Sequence, residues 1–250
     1  MRTWCTLTRR ELAGFFLSLS GYIILAAAVF MMGYSFVLLL VTLQREPTPM
    51  PVTEVFYNTQ LFWLILLLTT PVITMRLFAL EKFSGTFETL MTTPVSDLQV
   101  VLAKFAAAMI FYAVMWLPLL PCLLIVRHFT YDSAALDPGT IGSTYLGILL
   151  LGGFFLSLGC CASALTRSQG VAAMISLVFG ASVFMLAWIA DQQPARASWQ
   201  AQVLACFNFF DQMRDFVRGV VDTRPVVLLG SLSLFFLFLT LRVVESRRWK

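Results

Sequence analysis

Charge is scarce in this sequence. Asp, Glu, Lys and Arg make up 12% of its 250 residues, and apolar residues 59%. Soluble domains carry about 25% charged residues, so this balance excludes an ordinary soluble domain and indicates a membrane protein. Histidine occurs once, as His128, which excludes a histidine cluster for a metal or for acid–base work. The five cysteines, Cys5, Cys122, Cys160, Cys161 and Cys206, form no C-x-x-C pair. They read as small apolar residues and not as a disulfide framework or a metal site. There is no G-x-x-x-x-G-K-[ST] phosphate loop, so the chain does not bind ATP in that way. There is also no basic run with interleaved aromatics, which excludes nucleic acid as a partner despite the net charge of +4. The apolar runs hold no carboxylate pair and almost no charge. Hydrolytic catalysis lacks its groups, and a proton- or sodium-driven pump lacks the ionisable residues such machines carry at membrane depth. Energy supplied by a partner fits better.

What the sequence does have is a series of long apolar runs. No charged residue lies between Glu11 and Arg45. As one helix that run would measure about 50 Å, against roughly 30 Å of hydrocarbon. It therefore divides into an interfacial helix over 3–19 and a first span over about 21–43. Trp4, Leu7, Leu12, Phe15, Phe16 and Leu19 share one half of the interfacial helix, with Thr8 and Glu11 interrupting that arc. Arg9 and Arg10 lie on its other side, within reach of anionic headgroups. The apolar run is too long for a cleaved signal peptide.

Five further spans follow, at about 57–78, 100–126, 140–165, 169–190 and 225–242. Residues 44–57, with Pro47, Pro49 and Pro51, read as a loop. Thr69 and Thr70 precede Pro71 in the second span, where a threonine hydroxyl can help satisfy the carbonyl that proline frees. Pro118 and Pro121 predict a kink in the third span. In the fourth, Ser143/Gly147, Gly153/Ser157 and Gly159/Ser163 are pairs of small residues that allow close helix approach in lipid. A charged amphipathic helix over about 200–221 precedes the last span. Its apolar face includes Phe207, Phe210, Met213 and Val217, and its polar face includes Asp211, Arg214, Asp215 and Arg218. The fold class expected is all-α, polytopic, with six transmembrane helices.

Orientation follows from the loops. Arg2, Arg9, Arg10, Arg76, Lys82, Lys104, Arg167, Arg242, Arg247, Arg248 and Lys250 fall on one side, eleven of the 17 Lys and Arg. The positive-inside rule assigns that side, with both termini, to the cytoplasm, and makes 200–221 external.

The longest polar interlude on the expected cytoplasmic side is 81–104. Phe83, Phe87, Leu90 and Met91 share one stripe of a short helix over about 82–94, which Pro94 stops. Ser96 and Gln99 then form a capping box for the next helix, with Val95 and Val100 as its hydrophobic staple. Gly85 would allow a close backbone approach. Glu81 reads either as a solvated interfacial carboxylate beside Arg76 and Lys82 or as an anchor for the short helix through a charge-assisted hydrogen bond. Taken on its residues, the helix fits a connector lying on lipid headgroups as well as a docking element.

Glu81-Lys82, Gly85-Thr86, Glu88, Leu90 and Pro94-Val95-Ser96 match the pattern E-(K/R)-x-x-G-T-x-E-x-L-x-x-x-P-V-S. In this the chain resembles permease subunits of type 2 ABC exporters, most closely the gliding-motility and copper-maturation branch, and the resemblance extends over nearly the whole six-span layout. It implies a coupling helix that docks on an ABC ATPase through Glu81, Phe83, Gly85, Thr86, Phe87, Glu88, Leu90, Met91 and Pro94. It also implies a second permease copy, identical or not, in a bacterial inner membrane. ATP and Mg would sit on the partner ATPase, with no cofactor on this chain, which would be a non-catalytic permease. The alternative is a membrane channel or accessory assembly protein not coupled to an ATPase. A lipid-modifying enzyme and a secondary transporter are disfavoured by the missing polar groups. The orientation is checked with single cysteines at Thr89 and Ser198 in a cysteine-free background. On intact cells an impermeant thiol reagent should label position 198 and not 89, and the reverse pattern would invert the topology.

Overall fold

A computed structural model describes residues 2–45, 52–86, 95–129, 138–192 and 207–248. Their regular elements are α1 (Arg2–Phe16), α2 (Leu19–Arg45), α3 (Val52–Asn58), α4 (Gln60–Thr74), α5 (Ala79–Ser84), α6 (Asp97–Trp116), α7 (Leu119–Phe129), α8 (Pro138–Leu165), α9 (Gln169–Gln192), α10 (Phe209–Val217) and α11 (Thr223–Arg248). Among the described residues there is no strand, and six stretches are long and apolar enough to cross a membrane: Leu19–Val41, Gln60–Ser84, Asp97–Ile125, Pro138–Leu165, Gln169–Gln192 and Thr223–Ser246. The chain is an all-α polytopic membrane protein.

The span ends are set by local chemistry. Ser96 accepts from the Gln99 amide and caps α6, as its position in the sequence leads one to expect. Leu117 and Pro118 separate α6 from α7, because Pro118 has no amide to continue the ladder. In α4, Pro71 is accommodated without ending the helix. Thr69 and Thr70 donate to the carbonyls of Ile65 and Leu66, next to the Leu67 carbonyl that Pro71 leaves without its usual donor, not to it. The last helix outruns its apolar stretch. Arg242 pairs with Glu245 at 3.0 Å and lies over the Phe238 ring as α11 runs on to Arg248.

Three departures from the sequence reading concern the chain between spans. Residues 52–57, read as loop, belong to α3, which runs to Asn58. The helix expected over 3–19 stops at Phe16, and the chain turns before α2. Any side chain at position 21 would collide with the Phe15 carbonyl, so Gly21 is required for that turn. The apolar half of α1 packs on α6, and Arg9 and Arg10 stay exposed on its other side. Phe15 stacks on Phe111 at 4.9 Å, and Phe16 meets the same ring edge-on at 5.4 Å. In the stretch expected as one helix over about 200–221, α10 is nine residues long. Gly219 (φ 88) ends it in a Schellman turn, with the Gly219 and Val220 amides donating to the carbonyls of Phe216 and Asp215. Val220 and Val221 are exposed beyond it. Residues 200–206 lie outside the described set.

The bundle is built around α8, the most deeply buried span. It is apolar on all sides, as a helix surrounded by others must be. Its glycines mark where neighbours approach. A Cβ at Gly147 would lie 2.9 Å from Met213 Sδ and 3.0 Å from Phe216, on α10. At Gly152 it would overlap the Tyr112 ring on α6, and at Gly159 the Thr74 side chain at the end of α4. Of the small-residue pairs seen in the sequence, those with Gly147 and Gly159 make such approaches. Gly153 does not, since a Cβ there first meets Met109 Cε at an ordinary 3.5 Å. Most exposed apolar residues lie on the peripheral spans, for example Ile23 and Phe30 on α2, Met174 and Val178 on α9, and Val227 and Leu234 on α11. Adjacent glycines therefore give a matched test. Gly152→Ala should cost about 1–3 kcal/mol through overpacking, and Gly153→Ala should be close to neutral. Thermal unfolding of the detergent-purified protein reads the difference.

Candidate functional site

At the end of the bundle where α4 gives way to α5, polar side chains converge from four parts of the chain. Ser163, in the last turn of α8, accepts from the amides of Phe78 and Ala79 at 3.2 Å each and donates to the Met75 carbonyl at 3.3 Å. It thereby satisfies backbone groups at the start of α5, which lipid cannot do. Lys82 donates to the Ala164 carbonyl, a favourable cation at a helix C-terminus. Arg76 reaches the hydroxyls of Ser18, before α2, and Ser20, in its first turn. Neither basic neighbour is the partner of Glu81. That partner is Lys104, seven positions into α6. Its Nζ lies 2.8 Å from Glu81 Oε1 and 3.1 Å from Glu11 Oε1, and 5.5 Å from the centre of the Phe78 ring.

Lys104 is 2% exposed, with Glu81 and Glu11 at 14% and 18%. Burying charge is tolerable only when it is paired, and here one ammonium serves two carboxylates. Glu81 Oε2 is buried and has no donor among the described residues. Of the two readings of Glu81, the geometry therefore favours the anchor. The arrangement also explains why Glu11 interrupts the apolar arc of α1: that arc faces α6, and Glu11 faces Lys104.

The residues expected to form a docking element divide into two groups. Glu81, Phe83, Gly85 and Thr86 are described. Phe87, Glu88, Leu90, Met91 and Pro94 lie outside the described residues. Phe83 is 79% exposed. Gly85 adopts φ 73 and caps α5 after Ser84, so Phe83 belongs to a helix that ends there and does not continue unbroken through Gly85. Among the described residues, nothing lies within 4 Å of a Cβ built on Gly85. Its positive φ supplies the left-handed turn that ends α5.

The opposite end has its own set. Arg218 donates through Nε and Nη2 to Glu54 Oε2 and Oε1 at 3.1 and 2.8 Å, with Glu54 3% exposed. This two-pronged bond and the nearby carboxylate push the Arg218 guanidinium further up. Partial burial, and then Asp211, raise the Asp215 carboxyl above its ordinary range. Thr53 donates to the Val217 carbonyl, Tyr57 to Phe210 and Ser143 to Phe216. These bonds fix α10 across α3 and α8. Phe209, Met213, Phe216 and Val217 are buried beneath it, and Phe210 lies 4.4 Å from the Trp63 ring.

The sequence profile described as ABC-2 family transporter protein matches residues 46–243. The chain belongs to this family. A comparison with curated proteins found no match. Five of the six spans, α10 and the Glu54–Arg218 pair fall almost wholly within the matched region, while α1, Glu11 and the first span, α2, lie before it. The chain is thus a multi-pass permease subunit of an ABC transporter, a component that is generally non-catalytic. Family membership implies an ABC ATPase partner in general.

Reading the sequence of the ABC-2 permease missed Glu11, Lys104, Ser163, Glu54 and Arg218 as interacting residues. Lys104 was legible only as a charge at the edge of the third span, and its partners lie far away in sequence. The one signal was the polar interruption of the α1 arc. Lys104→Met would leave two carboxylates buried together and should cost about 3–5 kcal/mol. Glu11→Gln leaves the Lys104–Glu81 pair intact and should cost under about 1.5 kcal/mol. Unfolding in detergent should rank the two variants in that order.

Proposed function

We propose that this permease is one half of an ATP-driven exporter of the gliding-motility and copper-maturation kind. It lies in a bacterial inner membrane with both termini in the cytoplasm, as the Lys and Arg distribution supports. A separate ATPase subunit, carrying ATP and Mg, docks on the segment over about 82–94. A second permease copy, identical or different, completes the pathway between inward- and outward-facing states.

The observation that carries this reading is the contrast at the root of that segment. Glu81, Lys82 and the α5 N-terminus are fixed to α6 and α8, while Phe83 points away from them, exposed. Covering a phenylalanine is worth about 1.5–3 kcal/mol, so an exposed one on an anchored helix favours a docked partner. Phe87, Leu90 and Met91, which follow in sequence, supply the apolar residues such a partner would cover, and Glu88 a charge for the rim. A groove on the ATPase would make one or two of them contribute about 2 kcal/mol or more each.

The test is Phe87→Ala with Leu90→Ala in a permease expressed at its normal level. Co-purification of the ATPase should weaken, and ATP hydrolysis by the residual complex should uncouple from export. If binding and stimulated hydrolysis stay at the unmodified level, the segment is not the docking element, and a channel or assembly protein working without an ATPase becomes the better reading.

A further inference from the structure

We propose that Lys104 is a positioning residue for transport, passing displacement of α5 on to α1. This deepens the coupling role proposed above and rests on it. The Glu81–Lys104–Glu11 chain is a direct side-chain route from α5 into the body of α1. Among the described residues, Ser163 joins the α5 N-terminus to α8, Lys82 donates to the Ala164 carbonyl there, and Arg76, which precedes α5, reaches Ser18 and Ser20 around the start of α2.

Two features distinguish the cluster from a static clamp. The first is its imbalance. One ammonium holds two carboxylates, and among the described residues Glu81 is gripped by Oε1 alone while Oε2 stays buried without a donor. An apolar contact would fix three helices at lower cost in desolvation. The second is the geometry of an ammonium. It is a point charge with three donors and no fixed fork, so it keeps hold of a carboxylate over a range of angles. As α5 tilts, Lys104 can pass between the oxygens of Glu81 without releasing it, and the pull is delivered through Glu11. Lys104 is 2% exposed, so neither bulk water nor salt competes effectively for the bond.

The experiment uses Glu11→Gln, which retains the Lys104–Glu81 pair. The permease is purified with its ABC ATPase, and amide hydrogen exchange is followed with and without a non-hydrolysable ATP analogue. In the unmodified complex the analogue should alter exchange in both α5 and α1. In Glu11→Gln the α5 response should persist while the α1 response disappears, and export per ATP hydrolysed should fall at least about fivefold, the range of an ordinary coupling free energy. ATPase association and basal hydrolysis should be unchanged, as a purely structural defect would not leave them. An α1 response that survives in Glu11→Gln, or export per ATP within about twofold of the unmodified complex, overturns the role of Lys104 while leaving the docking reading intact. Absence of any α5 response in the unmodified complex overturns the docking reading, and this inference with it.

Discussion

Three neighbours occupy the space where α8 would otherwise carry side chains of its own. Tyr112 of α6 fills it at Gly152, Thr74 at the end of α4 fills it at Gly159, and Met213 with Phe216 of α10 fills it at Gly147. Water does not drive helices together in lipid, so association depends on contact at this range and on hydrogen bonds that the close approach permits. The rest of the architecture depends on it. Ser163 reaches the α4–α5 junction because Gly159, one turn earlier, lets Thr74 come close, and Ser143 reaches the Phe216 carbonyl beside the gap at Gly147.

Between these ends the spans look after their own polarity. Thr69, Thr70, Thr74, Ser157, Ser182, Ser233 and Thr240 all return their hydroxyls to a carbonyl three or four residues earlier. Such bonds tie nothing to a neighbour, and contacts between spans there are mainly apolar and aromatic, with Tyr112 donating to the Ile148 carbonyl and Tyr145 to the Ala113 carbonyl between α6 and α8. Inter-element polar bonds are instead concentrated at the two ends, in the Glu11–Lys104–Glu81 set and the Glu54–Arg218 set. The centre of the bundle is therefore held by shape, and its ends by charge.

Much of this was legible beforehand, and for physical reasons. Length and hydropathy fix the number of spans, because hydrocarbon thickness imposes a minimum run. The Ser96–Gln99 cap and the Pro118 interruption are local and were read correctly. Short helices such as α3 were not, since seven residues beside three prolines give no periodic signal. On α10, the face singled out in sequence held Phe210, Met213 and Val217 but missed Phe209 and Phe216, both fully buried. The α10 N-cap at Asn208 shifts which residues point inward. The ion pairs were illegible because their members are far apart in the chain, and a lysine at the edge of an apolar run looks the same whether it snorkels to water or lies buried between two glutamates.

The interruption at Leu117 and Pro118 has a mechanical meaning. The α6 half of the third span is locked to α1 and α5 through Lys104. Beyond Trp116, the Leu117 and Leu120 amides bond three residues back, to Val114 and Leu117, and Pro118 contributes no donor. A continuous helix would behave as a rigid rod and carry any tilt of its charged end undiminished to the far side of the bilayer. Divided at this point, the span is an articulated strut. Its first limb can move with the charged end formed by α1, α5 and the foot of α8 without carrying the second limb, α7, through the same tilt.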